Sequence, residues 1–459
     1  MDVQRTAFDA VLSGEDVVLL AETGSGKTLA YALPILHRLI EARATAPPDD
    51  AAAAAGAEGG EAAAATGQPP RHAAGARRGG RPDDQVLVLV PNRDLCAQVL
   101  ATFTSLLDAL PAAAVAAPPA GVGLPPLRAS SLHSEFETDL DADILIATPA
   151  LALRSWRGPE PIRTVVLDEA DALLAGSFKP AARSGYPIEM LIREVKRSAQ
   201  QEALHSGRRA VPSVRRSPGS GSGREARARL RASKQFVLVG ATMPNAGTRN
   251  VEVHVRRLFP LAQWHQAPRV HREMSELTQY FVKVDEASRG AALTHALRHG
   301  PQGRTLVFAN TALEAEAAEE YAVRQAGRGA VGLFHGEVPQ WRRAQLLSDF
   351  NAGRLSTLVC TGLAARGLDF ADVDHVVQYE VATNAVEFMH RVGRSARAGK
   401  PGTATTLYPE ERADLVEGLR DALAAGDPID HLFSRKRSLA LGIKKRRRRA
   451  EAGGAGVGT

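Results

Sequence analysis

Apolar residues in this chain fall mainly in short runs of three to eight, separated by longer polar or helix-spaced stretches. The first half offers Val17–Leu20, Val86–Val90, Ile144–Ile146, Val165–Leu167 and Phe236–Val239 as buried strands. The second half offers Leu277–Val284, Thr305–Phe308, Val331–Phe334, Thr357–Cys360, Val373–Gln378 and Ala404–Leu407. Leu29–Ile40, Leu313–Gln325 and Arg342–Phe350 carry the clearest helical spacing between them. Strands alternating with helices predict parallel sheets joined by right-handed crossovers. The fold class is therefore α/β, with two parallel-sheet domains in tandem and a boundary near Val270–Glu276. In such folds ligands sit at the carboxyl ends of strands.

Three stretches break the pattern. Ala44–Asp84 is dominated by Ala, Gly and Pro and has almost no large apolar residue, which predicts a disordered insertion. Arg197–Lys234 is rich in Arg, Ser and Gly and reads as a flexible basic loop. Arg435–Thr459 carries the basic run Lys444–Arg449 and reads as a disordered tail. The expected division is an N-terminal domain over 1–270, a C-terminal domain over 271–434 and the tail over 435–459.

Composition adds little to this. The net charge of +6 over 459 residues is compatible with an anionic polymer as partner. Only 5% of residues are aromatic, which argues against binding dominated by base stacking. Cys96 and Cys360 lie far apart beside apolar runs and read as free buried thiols. No apolar run approaches the roughly 18 residues of a membrane span.

The strongest local signal follows the first strand. Ala21-Glu-Thr23-Gly24-Ser25-Gly26-Lys27-Thr28 lies between that strand and a helix. Backbone N–H groups in such a turn cradle phosphates, and the helix N-terminus adds partial positive charge. Lys27 would reach the β- and γ-phosphates, and Thr28 would offer a hydroxyl to Mg²⁺. An ordinary glycine-rich turn is the alternative. Asp168-Glu169-Ala170-Asp171 follows the strand Val165–Leu167. Asp168 is placed to hold Mg²⁺, through water, and Glu169 to deprotonate an attacking water. Alone, this string could be a solvated helix cap.

With both motifs in view the chain resembles a DEAD-box RNA helicase, an ATP-dependent enzyme with two RecA-like domains. Ala21–Thr28 and Asp168–Asp171 match the family's nucleotide motifs. Gln4 stands where the family reads adenine. Pro91-Asn92-Arg93-Asp94-Leu95 and Thr148-Pro149-Ala150-Leu151 resemble its first two RNA-backbone motifs, although Leu151 replaces an arginine. Gly240-Ala241-Thr242 stands where the family has Ser-Ala-Thr. Further on, Leu306–Thr311, His335-Gly336 with Gln340 and Arg343, Thr361–Asp369, and His390–Arg397 resemble the remaining motifs in order.

The resemblance implies ATP and Mg²⁺ as cofactors and RNA as partner. It implies Arg391 and Arg394 as cations reaching the γ-phosphate from the second domain and Asp369 at the ribose. Arg93, Thr148, Pro149, Arg343 and Thr361 would touch the RNA backbone, and Asp171, Thr242 and His390 would couple the domains. Monomeric action and no membrane are expected. Asp171–Phe178, Ser233–Phe236 and Phe433–Arg437 resemble a plant and algal organellar branch that acts in rRNA maturation, which would bring pre-ribosomal particles as partners and a chloroplast or other organelle as location. A nuclear or nucleolar location is the alternative.

The phosphate loop lies so near Met1 that a longer natural N-terminus is expected. Gly240 lacks the hydroxyl that links the acidic motif to closure in the family. Leu151 removes an RNA-facing cation. Together these keep an ATP-gated RNA clamp with weak unwinding in play beside an active helicase. A DNA translocase is the more distant alternative.

Overall fold

The computed structural model describes residues 2–21, 25–44, 84–110, 127–132, 139–155, 158–174, 186–205, 234–241, 251–266, 277–362, 365–370, 373–396, 400–427 and 429–433. The expected insertion over 45–83, Thr23, Gly24, Thr242, Arg397 and the tail from 434 lie outside the described residues.

Among the described residues every strand pairing is parallel. The first sheet comprises β1 Val17–Leu20, β2 Gln85–Leu89, β3 Ala129–Ser131, β4 Ile144–Ala147, β5 Ile162–Asp168, β6 Gln235–Gly240 and β7 Gln263–Gln266. Its spatial order is β3-β4-β2-β5-β6-β1-β7. The second comprises β8 Leu277–Lys283, β9 Arg304–Ala309, β10 Val331–Phe334, β11 Thr357–Thr361, β12 Val373–Gln378 and β13 Gly402–Tyr408. Its order is β10-β11-β9-β12-β13-β8. This is the α/β arrangement of two parallel sheets that the apolar runs predict.

Interior strands are apolar on both faces because helices cover both faces. In β1, Val17 and Leu19 enter one core cluster while Val18 and Leu20 enter another. Helices α1 Asp2–Leu12, α2 Lys27–Ala44 and α3 Arg93–Ala109 contribute to the first cluster. Helices α4 Pro149–Ser155, α5 Ala170–Leu174, α6 Pro187–His205 and α7 Val251–Leu258 serve the second. The second sheet is likewise sandwiched. Helices α8 Glu286–His299 and α9 Ala312–Ala326 lie on one face, and α10 Gln340–Asn351, α11 Ala385–Val392 and α12 Ala413–Ala425 lie on the other. No described helix is long and apolar enough to cross a membrane.

Three elements depart from the sequence reading. The polar edge strands β3 and β7 are additional, and neither carries the long apolar run of an interior strand. Helix α1 is also additional; it buries the small residues Ala7 and Ala10 with Val11 against α2. The expected loop from Arg197 begins later, because α6 continues through His205. Lys234, at the far end of that segment, is buried and bonds Glu202 of α6 at 2.9 Å.

Candidate nucleotide site and interdomain cleft

Sheet order brings three strand ends together. β5, β6 and β1 are neighbours, pairing Asp168 with Val239 and Leu20 with Gly240. The phosphate loop, the acidic motif and Gly240 therefore meet at one edge. Gly26 has φ of 82°, a region that L side chains rarely enter, so the turn into α2 needs glycine there. Lys27 opens α2 and is only 8% exposed. Its Nζ lies 4.0 Å from Glu169 Oε1. Among the described residues, Lys27 Nζ and Glu169 Oε2 are buried without a hydrogen-bond partner.

A buried ammonium beside a buried carboxylate, both with unused bonding capacity, fits a polyanion and a water placed between them. Glu169 itself sits at φ 54°, an uncommon setting for a non-glycine residue. Asp168 Oδ1 accepts the Glu169 N–H at 2.9 Å, and its Oδ2 accepts the Tyr31 hydroxyl at 2.9 Å. Burial raises Asp168 to about 6, and the Glu169 charge adds to this; Lys27 and the two hydrogen bonds oppose it. A divalent cation would favour the ionised form further. Thr28 and Asp168 supply the hard oxygen donors that Mg²⁺ prefers, so the residues fit a magnesium nucleotide.

The second sheet faces this edge through α11. Its Asn384 cap accepts the Glu387 N–H at 2.9 Å and sets the helix start. His390, in the last turn, places Nε2 3.2 Å from Asp171 Oδ2 and 3.9 Å from Glu169 Oε2. These three side chains are at most 5% exposed. Their donor atoms lie within 4.8 Å of one another, a set that also suits a metal ion. A direct imidazole–carboxylate contact across the cleft is the simpler reading, because the side chains come from different units.

Three of the expected cations are bonded to protein groups in this structure. Arg391 turns into its own unit. Its guanidinium bonds Glu387 at 2.6 Å, Asn310 at 2.7 Å and Glu380 O at 2.9 Å. It is 1% exposed and neutralised by a carboxylate one helical turn away, so it braces α11 and does not project as a free cation. Arg394 is also buried, bonded to the carbonyls of Leu368 and His390. Arg343 was expected on RNA. It instead crosses the cleft to Asp94 Oδ2 at 2.8 Å while bonding Val338 O and Gly336 O. The partner that ties it down, Asp94, is on α3 of the other unit.

Two more bonds cross the same cleft. Asn92 Nδ2 donates to Arg366 O at 3.0 Å, and the Asp369 N–H donates to Gln98 Oε1 at 3.0 Å. The Asp369 carboxylate is exposed. Asn92 also caps α3 by accepting the Leu95 N–H at 2.8 Å. Gln98 was not anticipated, because a glutamine inside a helix carries no sequence signal.

Arg93, Thr148 and Pro149 do come together. They line a cleft of about 250 Å³ with Pro91, Tyr186 and Ile188. Leu151 packs partly against the core instead of extending as an arginine would. Thr361 ends β11, half-buried. Gln4 lies half-buried on α1, which packs along α2.

The DEAD/DEAH box helicase family pattern matches residues 1–250, and the helicase conserved C-terminal domain matches residues 288–399. DEAD-box ATP-dependent RNA helicase 22 of Oryza sativa subsp. japonica is 31% identical over 96% of this chain and 80% of its own length. The Arabidopsis thaliana protein of the same name is 31% identical over 96% and 79%. Among solved structures, S. cerevisiae Dbp5 bound to RNA and ADP BeF3 superposes with a TM-score of 0.60 at 19% identity, covering 94% of this chain and 87% of that one. The helicase Mss116 bound to ssRNA and UDP-BeF gives 0.63 at 19% identity, covering 95% and 75%. At those identities the structural likeness establishes the tandem RecA-like fold. Together with the family matches across both sheets, it follows that this chain belongs to the DEAD-box family of ATP-dependent RNA helicases, which use ATP with Mg²⁺.

Proposed function

We propose that this helicase hydrolyses ATP at a site divided between its two units, 1–270 and 271–434, and that closing the cleft couples hydrolysis to local remodelling of RNA. The single observation that carries this is His390, delivered by α11 onto Asp171 and Glu169 of the other unit. Lys27 and the N-terminus of α2 hold the phosphates. Bound magnesium, held by Thr28 and by Asp168 through water, would neutralise charge on the phosphates. Glu169 accepts a proton from the attacking water, whose oxygen bonds the γ-phosphorus as the bond to ADP breaks. Arg391 and Arg394 are assigned to the γ-phosphate, which requires closure to release Arg391 from Glu387 and Arg394 from the carbonyls of Leu368 and His390. Gln4 and Asp369 are assigned to the adenosine moiety, and Thr23, Gly24, Ser25 and Gly26 to the phosphate cradle.

Arg93, Thr148, Pro149 and Thr361 are assigned to the sugar-phosphate backbone, which positions a strand without reading its sequence. Arg343 acts one step away, through Asp94. Gly240 and the inward packing of Leu151 favour a second reading, an ATP-gated RNA clamp with weak unwinding. A role in rRNA maturation in an organelle is supported by the short strings Asp171–Phe178, Ser233–Phe236 and Phe433–Arg437. A mitochondrial relative from Arabidopsis thaliana is 25% identical over 90% of this chain and 54% of its own length.

The test is ATP turnover with and without single-stranded RNA, alongside unwinding of a short duplex. RNA stimulation with unwinding supports the helicase reading. RNA stimulation without unwinding supports the clamp, and stimulation by DNA alone overturns both.

A further inference from the structure

Tyr31 follows Thr28 by three positions and Lys27 by four, so it lies on the same face of α2. It is fully buried, and its ring packs against Phe103 with centroids 6.3 Å apart. Phenylalanine would fill that space equally well, so packing does not explain the hydroxyl. The hydroxyl meets Asp168 Oδ2 at 2.9 Å.

Proton bookkeeping gives this bond a direction. A carboxylate only accepts, so the phenol donates its one proton to Asp168. The phenol oxygen can then only accept. The other Asp168 oxygen is held by the Glu169 N–H.

We propose that Tyr31 is a positioning residue for magnesium: its hydroxyl fixes the Asp168 carboxylate, ordering that oxygen donor before the cation arrives. This rests on reading the phosphate loop as a magnesium–nucleotide site. Partners that orient metal ligands in this way typically change metal affinity by about 10–100-fold when removed.

The experiment compares the full chain with Tyr31→Phe. Binding of a fluorescent, non-hydrolysable ATP analogue is titrated with Mg²⁺, and Mn²⁺ binding in the nucleotide complex is followed by electron paramagnetic resonance. The inference predicts that the metal concentration at half-saturation rises about tenfold or more. Nucleotide affinity in EDTA and the far-UV circular dichroism of the ligand-free protein stay unchanged. An unmoved metal midpoint overturns the inference while leaving the nucleotide site intact. So does an equal loss of affinity in EDTA, which would mean that the pocket's shape had changed. If the unsubstituted protein shows no magnesium-dependent nucleotide binding, the reading of the site fails and the inference falls with it.

Discussion

The bridge between Asp94 and Arg343 joins the two units across the cleft, so breaking it should weaken closure without unfolding either unit. The N–O distance is 2.8 Å, and the two side chains are 9% and 11% exposed. In an open molecule both groups are hydrated. A hydrogen bond to a charged partner contributes about 1.5–3 kcal/mol, from which desolvation of the pair subtracts. Arg343 keeps Gly336 O and Val338 O as acceptors, so its own desolvation is partly offset. A net coupling of about 2 kcal/mol follows, or roughly 30-fold in the closure equilibrium. The assay is a double-mutant cycle of Asp94→Ala, Arg343→Ala and the pair, reading RNA affinity with a non-hydrolysable ATP analogue. The bridge predicts that each single change costs about as much as the double. Strictly additive effects would refute it and return Arg343 to a direct, independent RNA contact.

His375 is buried against Thr405 at 2.9 Å, and burial pulls it from 6.5 down to about 4. The unfolded chain binds this proton first as pH falls, so stability is full above about 6.5 and declines toward 4, by at most about 3 kcal/mol. Denaturant melts of His375→Gln should lose that part of the pH dependence, and an unchanged profile would contradict the assignment. Gly240 accepts the Ala21 N–H at 3.1 Å at the end of β6, beside the strand that ends in Asp168. Gly240→Ser should raise the duplex unwound per ATP hydrolysed; an unchanged ratio means that the missing hydroxyl does not limit coupling. Deleting Lys444–Arg449 should weaken RNA binding and flatten its dependence on salt, because each phosphate contact contributes about 0.7 to the slope on single strands. A slope identical to that of the full chain would exclude the tail from RNA.

The interior of the fold was legible because parallel strands buried on both faces read as apolar runs, and β1 begins and ends where its run does. The polar edges of the first sheet were not. β7 reads Gln-Trp-His-Gln, and an edge strand covered on few sides needs no apolar run. Lys27, Asp168 and Glu169 were found because a phosphate site constrains local spacing. Arg343 and Arg391 show where that logic ends. Which carboxylate an arginine meets depends on elements brought together by closure or by one helical turn. Arg343 meets Asp94 across 249 positions of sequence, and Arg391 meets Glu387 four residues away. Sequence patterns gave the type of each residue and not its partner. Tyr31 escaped notice for a related reason: as part of an apolar helix face it needed no role until its hydroxyl was placed on Asp168.

The division of the ATP site between two units is tested most directly by RNA affinity in Glu169→Gln as a function of nucleotide. Removing the base while keeping the shape should trap the closed state. The account predicts tight RNA binding with ATP and Mg²⁺ and weak binding with ADP or with no nucleotide. RNA affinity that is the same in all three states would contradict it.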